Sequence, residues 1–297
     1  SLSKKLNEKK LGALTVKTIT LEAREGHKPP TMTKIASGML NAIGLKNPGI
    51  KKFIKNELPK VTRFGVPIIV SIAGKTEEEF IKLASELNRQ DKIDYIEVNV
   101  SCPNVKTGMA FGTDPYLLEC LTRKIKEVAT KPIIIKLSPN VTDIVACAKG
   151  AEAGGADAIS LINTLMGMAI NLDKRKPILT NNTGGLSGPA IKPVALRMVY
   201  QVARAVKLPI IAMGGISNAK DALEFILAGA TAVSVGTANF LNPKTTEEII
   251  KGIEKYLIDN NINDINQLRG MLRLNNQPSK IGGKMTFLEQ LKKIQKK

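Results

Sequence analysis

A cysteine with carboxamide neighbours follows a short apolar run in the first half of the chain. Ser101-Cys102-Pro103-Asn104 comes directly after residues 95–100, and Asn99 lies two residues before Ser101. A thiol can act as a general base, and an asparagine side chain both donates and accepts hydrogen bonds. These residues could therefore carry a proton transfer on a small polar ring. The alternative is a structural cysteine that packs as a small apolar side chain at a strand end.

Glycine turns follow the last two apolar runs of the chain. The first turn is Gly214-Gly215-Ile216-Ser217-Asn218, directly before a helical segment, and the second is Gly236-Thr237. Glycine lets backbone N–H groups approach an anion closely, and a following helix points the positive end of its dipole at it. Phosphate often binds after the last two strands of an α/β barrel. The two turns together predict a site for a phosphorylated ligand.

Two lysines, Lys17 and Lys136, each end the core of a strand-like run. Such a lysine could form a Schiff base, or it could stay charged beside an anionic ligand. It could also simply extend its ammonium group to solvent. The only histidine, His27, lies in a polar loop, where we expect a surface residue, and this argues against a Ser-His-Asp hydrolase.

Strand-like runs alternate with amphipathic helical segments along the chain, which predicts βα units around a parallel sheet. The predicted strands are residues 13–20, 67–73, 95–100, 132–137, 158–163, 209–213 and 232–236. The predicted helices are residues 76–88, 115–128, 142–153, 193–206 and 219–228. Polar residues or glycines follow nearly every strand, as in α/β barrels, whose chemistry lies at the carboxyl ends of the strands.

Composition narrows the class of protein. The chain has 297 residues, 43% of them hydrophobic, and no Pro/Ser-rich linker divides it, so we expect one domain. It contains no apolar run of about 18 residues and no secretory leader, which favours the cytoplasm and no membrane. Cys102, Cys120 and Cys147 are an odd number without metal-ligand spacing. The sequence therefore indicates neither a disulfide framework nor a metal site.

The formal net charge of +18 raises the question of nucleic-acid binding. The lysines are scattered, however, and aromatic residues make up only 4% of the chain, so no stacking platform is evident. We expect no nucleic-acid partner and interpret the charge as a solvated surface or as a docking face for an acidic partner.

Several motifs, each in order along the chain, resemble the dihydroorotate dehydrogenases. The resemblance is greatest to class 1B, the flavin mononucleotide (FMN) subunit of the NAD-dependent two-subunit enzyme, and it runs from about Leu11 to about Leu274. The motifs are Val16-Lys17-Thr18, Ser37-Gly38-Met39-Leu40-Asn41-Ala42-Ile43-Gly44-Leu45, Asn99-Val100-Ser101-Cys102-Pro103-Asn104-Val105-Lys106, Phe111-Gly112-Thr113-Asp114-Pro115, Lys136-Leu137-Ser138-Pro139-Asn140, Ile162-Asn163-Thr164 and Thr183-Gly184-Gly185-Leu186-Ser187-Gly188-Pro189-Ala190.

The resemblance implies a (β/α)8 barrel that oxidises (S)-dihydroorotate to orotate in pyrimidine biosynthesis. It makes Cys102 the catalytic base at C5, while a hydride passes from C6 to the flavin, and it implies no metal. The substrate-binding residues that it implies are Lys17, Asn41, Ala42, Ile43, Gly44, Leu45, Asn99, Asn163 and Thr164. The implied FMN-binding residues are Lys17, Thr18, Ser71, Asn99, Lys136, Ile162, Gly188, Gly214, Gly215, Gly236 and Thr237.

The resemblance also implies partners. Class 1B enzymes are homodimers that assemble with a subunit carrying FAD and a [2Fe-2S] cluster into a heterotetramer, and electrons pass through it to NAD+. Four alternatives stay open at this stage: a fumarate-dependent class 1A enzyme, a Schiff-base aldolase with Lys136 as nucleophile, a basic nucleic-acid-binding protein, and a flavin-free barrel fragment.

The sequence departs from the family pattern in two places. The opening strand of the family has no counterpart before Leu11, so we expect a barrel domain over residues 1–274 that lacks its first strand. Ser71 stands where relatives often carry an asparagine that faces the flavin. Residues 275–297 form a basic extension for which the resemblance supplies no role.

Overall fold

The computed structural model describes residues 11–101 and 111–275. A seven-stranded parallel sheet forms its centre. Its strands, given in the order in which they lie side by side, are β1 (Leu14–Ile19), β4 (Ile68–Ile72), β5 (Tyr95–Asn99), β6 (Ile133–Lys136), β7 (Ala158–Leu161), β12 (Ile210–Ala212) and β13 (Ala232–Val233). All seven lie within the predicted strand segments. Every carboxyl end points to the same edge of the sheet, because all the pairings are parallel.

The strand sequences explain this arrangement. All five residues of β4 are buried, and the three isoleucines of β6 are buried as well. A parallel sheet covered on both faces needs such continuous runs of branched apolar side chains. Strand β1 alternates between exposed and half-buried residues along most of its length, as suits a strand at the edge of the sheet.

Six helices in the described part of the chain follow strands of the main sheet and cover its outside. They are α1 (Glu77–Asn88), α2 (Pro115–Val128), α3 (Ile144–Ala153), α4 (Lys192–Ala203), α5 (Ala219–Ala228) and α6 (Thr245–Asp259). The first five agree with the prediction to within about three residues at each end. Side chains at the N-termini define several starts: Asp114 accepts hydrogen bonds from the Tyr116 and Leu117 N–H groups, and Asp143 caps α3 in the same way.

A second, antiparallel sheet of four short strands was not predicted. It is formed by β2 (Met32–Ile35), β3 (Gly38–Asn41), β11 (Gly184–Ser187) and β8 (Leu165–Gly167), in the order β2-β3-β11-β8. Between β8 and β11, strands β9 (Ile170–Asn171) and β10 (Lys176–Pro177) form a small hairpin. In the four-stranded sheet Asn41 pairs with Gly185, so loops that are far apart in sequence meet near the main sheet. Short helical turns over residues 50–64 also lay outside the prediction.

The main sheet is open in the part of the chain that the structure describes. Strands β1 and β13 are its two edges, and no described strand joins them. The structure thus shows a parallel α/β sheet with covering helices, but not the closed eight-stranded barrel. A cavity of about 720 Å³ lies at the amino ends of the strands, against Leu14, Ile134, Ile211 and Ile249. None of the described helices combines the length and apolar character needed to span a membrane.

Candidate active site at the carboxyl ends of the strands

Four predicted site residues from four different strand ends form one chain of hydrogen bonds. The Thr18 and Ser71 hydroxyl oxygens are 3.0 Å apart, and Asn99 Nδ2 donates to Thr18 Oγ1 at 3.4 Å. Asn163 Nδ2 in turn donates to Asn99 Oδ1 at 3.2 Å. Ser71 and Asn99 are buried. The interior face of the sheet therefore carries a row of fixed hydroxyl and amide groups.

The two asparagines are oriented by backbone groups. Asn99 Oδ1 also accepts from the Ser101 N–H at 3.2 Å, and Asn163 Oδ1 accepts from the Thr164 N–H at 2.8 Å. A carboxamide held by such contacts presents donors and acceptors in a fixed pattern, which suits recognition of a planar polar ring. Cys102, the predicted base, lies outside the described residues, but the backbone that leads into it is tied to Asn99.

Lys136 pairs with a buried carboxylate that the sequence reasoning missed. Its Nζ lies 3.4 Å from Glu97 Oε1, and Ser160 Oγ donates to Glu97 Oε2 at 2.8 Å. Glu97 is only 3% exposed, and Ser160 is fully buried. A glutamate inside the otherwise apolar run of β5 is the signal that could have identified it, because a buried charge needs a partner.

A cavity of about 250 Å³ adjoins Lys136 and is walled by the glycine turns. Its lining includes Lys136, Ile162, Asn163, Thr164, Gly188, Gly214, Gly215, Gly236 and Thr237, all of them predicted site residues. Thr18, Ser71 and Asn99 do not line this cavity; they belong to the neighbouring row of hydrogen bonds. Two predicted groups of residues, one polar and one glycine-rich, thus share one end of the sheet.

Backbone geometry explains two of the glycines. Gly214 and Gly215 have φ angles of 126° and 76°, which residues with a side chain rarely adopt. A Cβ at Gly215 would lie 2.8 Å from Lys192 Cβ and 3.0 Å from the Gly188 carbonyl oxygen. At Gly236, by contrast, a Cβ would meet no heavy atom of the described residues within 4 Å. The first turn must be glycine to form at all, whereas the second leaves space beside its backbone.

A charged network, also missed from the sequence, holds the first glycine turn in place. Asp221, in the first turn of α5, accepts hydrogen bonds from Ser217 N–H at 2.9 Å and Ser217 Oγ at 2.8 Å. Lys192 Nζ lies 2.7 Å from Asp221 Oδ1 and 2.8 Å from Glu224 Oε2. Burial raises the pKa of Asp221, but hydrogen bonds from Lys192 and Ser217 outweigh it, so this pKa lies below its ordinary value. Hydrogen bonds to Asp221 and Glu224 raise the pKa of Lys192.

The predicted substrate residues after β3 form a loop that a histidine supports. Asn41 Nδ2 donates to the Gly185 carbonyl oxygen at 3.4 Å, and Ala42, Ile43, Gly44 and Leu45 follow as half-buried residues. His27 is exposed, as expected, yet its ring Nδ1 lies 2.9 Å from the Ala42 carbonyl oxygen. The backbone N–H of His27 donates to the Ile43 carbonyl oxygen at 3.0 Å. Lys17 is exposed on β1 and takes no part in the row of hydrogen bonds that begins at Thr18.

A parallel sheet with polar groups and glycine turns at the carboxyl ends of its strands is the architecture of an α/β enzyme that binds a phosphorylated ligand. The family assignment agrees: the model of the dihydroorotate dehydrogenase family matches residues 1–257. The chain belongs to this family, which confirms the resemblance in its sequence motifs.

Individual relatives are similar over most of their length. A protein of Thermoanaerobacter pseudethanolicus named dihydroorotate dehydrogenase B (NAD(+)), catalytic subunit, is 56% identical over 265 residues, which are 89% of this chain and 87% of the relative. Proteins with the same name from Alkaliphilus metalliredigens and Lachnoclostridium phytofermentans are 54% and 52% identical, over 88% and 89% of this chain and 87% and 88% of their own.

Proposed function

We propose that this protein oxidises (S)-dihydroorotate to orotate in de novo pyrimidine biosynthesis, with FMN as its resident cofactor. The main support for the proposal is that two groups of site residues adjoin each other in a chain that belongs to this family. The amide row at Asn99 and Asn163 meets a cavity walled by glycine turns, and Asn163 belongs to both. One end of the sheet can thus hold a polar ring beside a phosphorylated cofactor.

The residues around the cavity fit FMN. The N–H groups of the turns at Gly214-Gly215 and Gly236-Thr237 would hold the phosphate, since α5 begins directly after the first turn. Lys136 would place its charge beside the flavin ring, where a cation favours the anionic reduced form. When bound, FMN supplies the acceptor for the hydride that leaves C6 of dihydroorotate. Ile162 would supply an apolar contact from the same wall.

The remaining roles belong to the chain itself. Asn99, Asn163, Thr164 and the loop from Asn41 to Leu45 would orient the substrate ring through its amide and carboxylate groups. Cys102 would take the proton from C5 as its thiolate, so the double bond of orotate forms as the C6 hydride departs. The proton then returns to solvent from the thiol, which restores the thiolate for the next turnover.

The electron acceptor follows from the names of the relatives, which specify NAD(+) and a catalytic subunit. We propose that electrons reach NAD+ through a partner subunit carrying FAD and a [2Fe-2S] cluster. A homodimer of this chain would bind two such subunits as a cytoplasmic heterotetramer. A fumarate-dependent enzyme of class 1A would not need that second subunit.

The test is anaerobic reduction of the FMN-loaded protein. We expect (S)-dihydroorotate to bleach the visible flavin band and orotate to appear in equal amount, whereas fumarate alone should reoxidise the flavin slowly. A band unchanged by dihydroorotate would refute the proposal. Rapid reoxidation of the flavin by fumarate would indicate a class 1A enzyme instead. A substrate adduct trapped on Lys136 by borohydride would indicate an aldolase.

Glycine variants test the cofactor site independently of the reaction. Gly215→Ala should lose both FMN and stability, because its Cβ would lie 2.8 Å from Lys192 Cβ. Gly236→Ala should weaken FMN retention without lowering the unfolding temperature of the apoprotein, since its Cβ would have no heavy atom within 4 Å in the part of the chain that the structure describes. Gly12→Ala, where a Cβ would also lie more than 4 Å from the described residues around it, is the matched control that should change neither. Normal FMN retention in both site variants would place the phosphate elsewhere.

A further inference from the structure

Glu97 is a carboxylate in the interior of the main sheet. It sits third in β5, between Ile96 and Val98, which are both fully buried. In the register of the sheet Glu97 pairs with Ile134 on β6, and Lys136 pairs with Ser160 on β7. Side chains two residues apart in a strand share a face, so Glu97, Lys136 and Ser160 all project from the same side. That side also carries Asn99, which follows Glu97 by two residues.

Such a group is costly unless it is paired. Moving a carboxylate from water into a protein interior is strongly unfavourable, and a single ion pair only partly offsets this. In the described chain the Glu97 contacts are the Lys136 ammonium at 3.4 Å and the Ser160 hydroxyl at 2.8 Å. An apolar residue such as the neighbouring valine would fill β5 at lower cost. The structure therefore retains a charge whose ionic partner, Lys136, lines the cavity walled by the glycine turns.

We propose that Glu97 is a positioning residue that sets the reduction potential of the bound flavin through Lys136. Its carboxylate, fixed by Ser160, holds the Lys136 ammonium group at the cavity wall and offsets part of its positive charge. This inference rests on the proposed function, because it assumes that the cavity holds a flavin. The Lys136 side chain is 18% exposed, so its field reaches the cavity while Glu97 acts on it from inside the sheet.

The sign of the effect follows from electrostatics. Lys136 alone favours the reduced, anionic flavin, and a carboxylate next to it weakens that preference. Glu97→Gln keeps the size of the side chain and a hydrogen bond with Ser160, but it removes the negative charge. The variant should therefore bind reduced flavin more strongly relative to oxidised flavin. A tenfold change in that preference corresponds to an upward shift of about 30 mV for a two-electron couple.

The experiment is a redox titration of the FMN-loaded protein against a dye of known potential, without dihydroorotate. Glu97→Gln should raise the midpoint potential, and Lys136→Met should lower it. In the double variant the effect of Glu97→Gln should largely vanish, because the two changes are coupled through one contact. Glu77→Gln is the matched control: it breaks the 2.7 Å pair of Glu77 with Lys124 on the outer helices and should leave the potential unchanged.

The outcomes separate the possible roles. A Glu97→Gln protein that unfolds more easily at an unchanged potential would assign Glu97 a structural role only and overturn the inference. The same shift with and without Lys136 would also overturn it. If Glu97→Gln does not fold, Glu97→Asp keeps the charge but withdraws it from Lys136, and a smaller upward shift is expected. A chain that binds FMN but is not reduced by dihydroorotate would refute the proposed function, while the titration would still decide the role of Glu97.

Discussion

The Asn99 carboxamide oxygen accepts two hydrogen bonds, one from a backbone N–H group and one from a side chain. It accepts from the Ser101 N–H and from Asn163 Nδ2, while its own Nδ2 donates to Thr18. The amide thereby ties three strand ends to the backbone that enters Cys102. Because β5 and β7 come from distant parts of the sequence, the spacing of residues could suggest each asparagine but not their contact. The resemblance to a known family brought them together in advance.

Cys102→Ser should slow flavin reduction by dihydroorotate by about 10²–10⁴-fold at neutral pH, because a hydroxyl is a much weaker base than a thiol. FMN should remain bound. Stopped-flow measurement of the reduction step tests this, and Cys120→Ser on α2 is the matched thiol-to-hydroxyl control. The wild-type rate should rise with pH toward a thiol pKa, ordinarily about 8.5. An unchanged rate in Cys102→Ser, or a flat pH profile, would remove the cysteine from this role.

Among the elements, the turn between β12 and α5 owes its conformation both to its own glycines and to charged residues of the helices beside it. Its glycines were identified from the sequence, because paired glycines before a helix are a local signal. The network of Lys192, Asp221 and Glu224 was not, since Lys192 begins α4, a separate element. Asp221 thus holds the turn in place through Ser217, and Lys192, on α4, in turn holds Asp221.

Asp221→Asn should lower the free energy of unfolding by about 1–3 kcal/mol, because it weakens the hydrogen bonds that hold Ser217 and Lys192. Since the folded pKa of Asp221 is lowered, its stabilisation is present above the ordinary value of about 3.9 and is lost as pH falls through the folded pKa. Since the pKa of Lys192 is raised, its stabilisation is lost only as pH rises above about 10.4.

Urea unfolding of wild type and variant across pH measures this contribution. The difference in stability should be constant near neutral pH and should shrink below the ordinary pKa of an aspartate. Asp173→Asn, at an exposed turn, is the control and should show no difference at any pH. A difference that persists undiminished in acid would show that the charge of Asp221 is not what stabilises the turn.

For the whole molecule, the main sheet follows from the sequence and the smaller sheet does not. Strands such as β4 and β6 are continuous apolar runs bounded by turn residues, and each pairs with a neighbour that is close in the chain. Strands β3 and β11 have four residues each and mostly half-buried side chains, so neither periodicity nor length marks them. Their pairing exists only because the main sheet places both loops at one end. Glu97 was not predicted for a related reason. It lies within the apolar run of β5, and its partner Lys136 lies on another strand, β6.

The smaller sheet also determines the order in which the protein assembles. Asn41 and its contact at Gly185 are 144 residues apart, whereas Ile69 and its partner Tyr95 in the main sheet are only 26 residues apart. Closing the longer loop costs about 1.5 kcal/mol more in chain entropy. The pairing of β3 with β11 should therefore form late and open early. In hydrogen-exchange measurements its amides should exchange faster than those of β5 and β6, and equal protection would contradict this order. The loop from Asn41 to Leu45, proposed to orient the substrate, would then be among the last parts of the molecule to fold and the first to open, so substrate entry would need only this local opening while the main sheet stays intact.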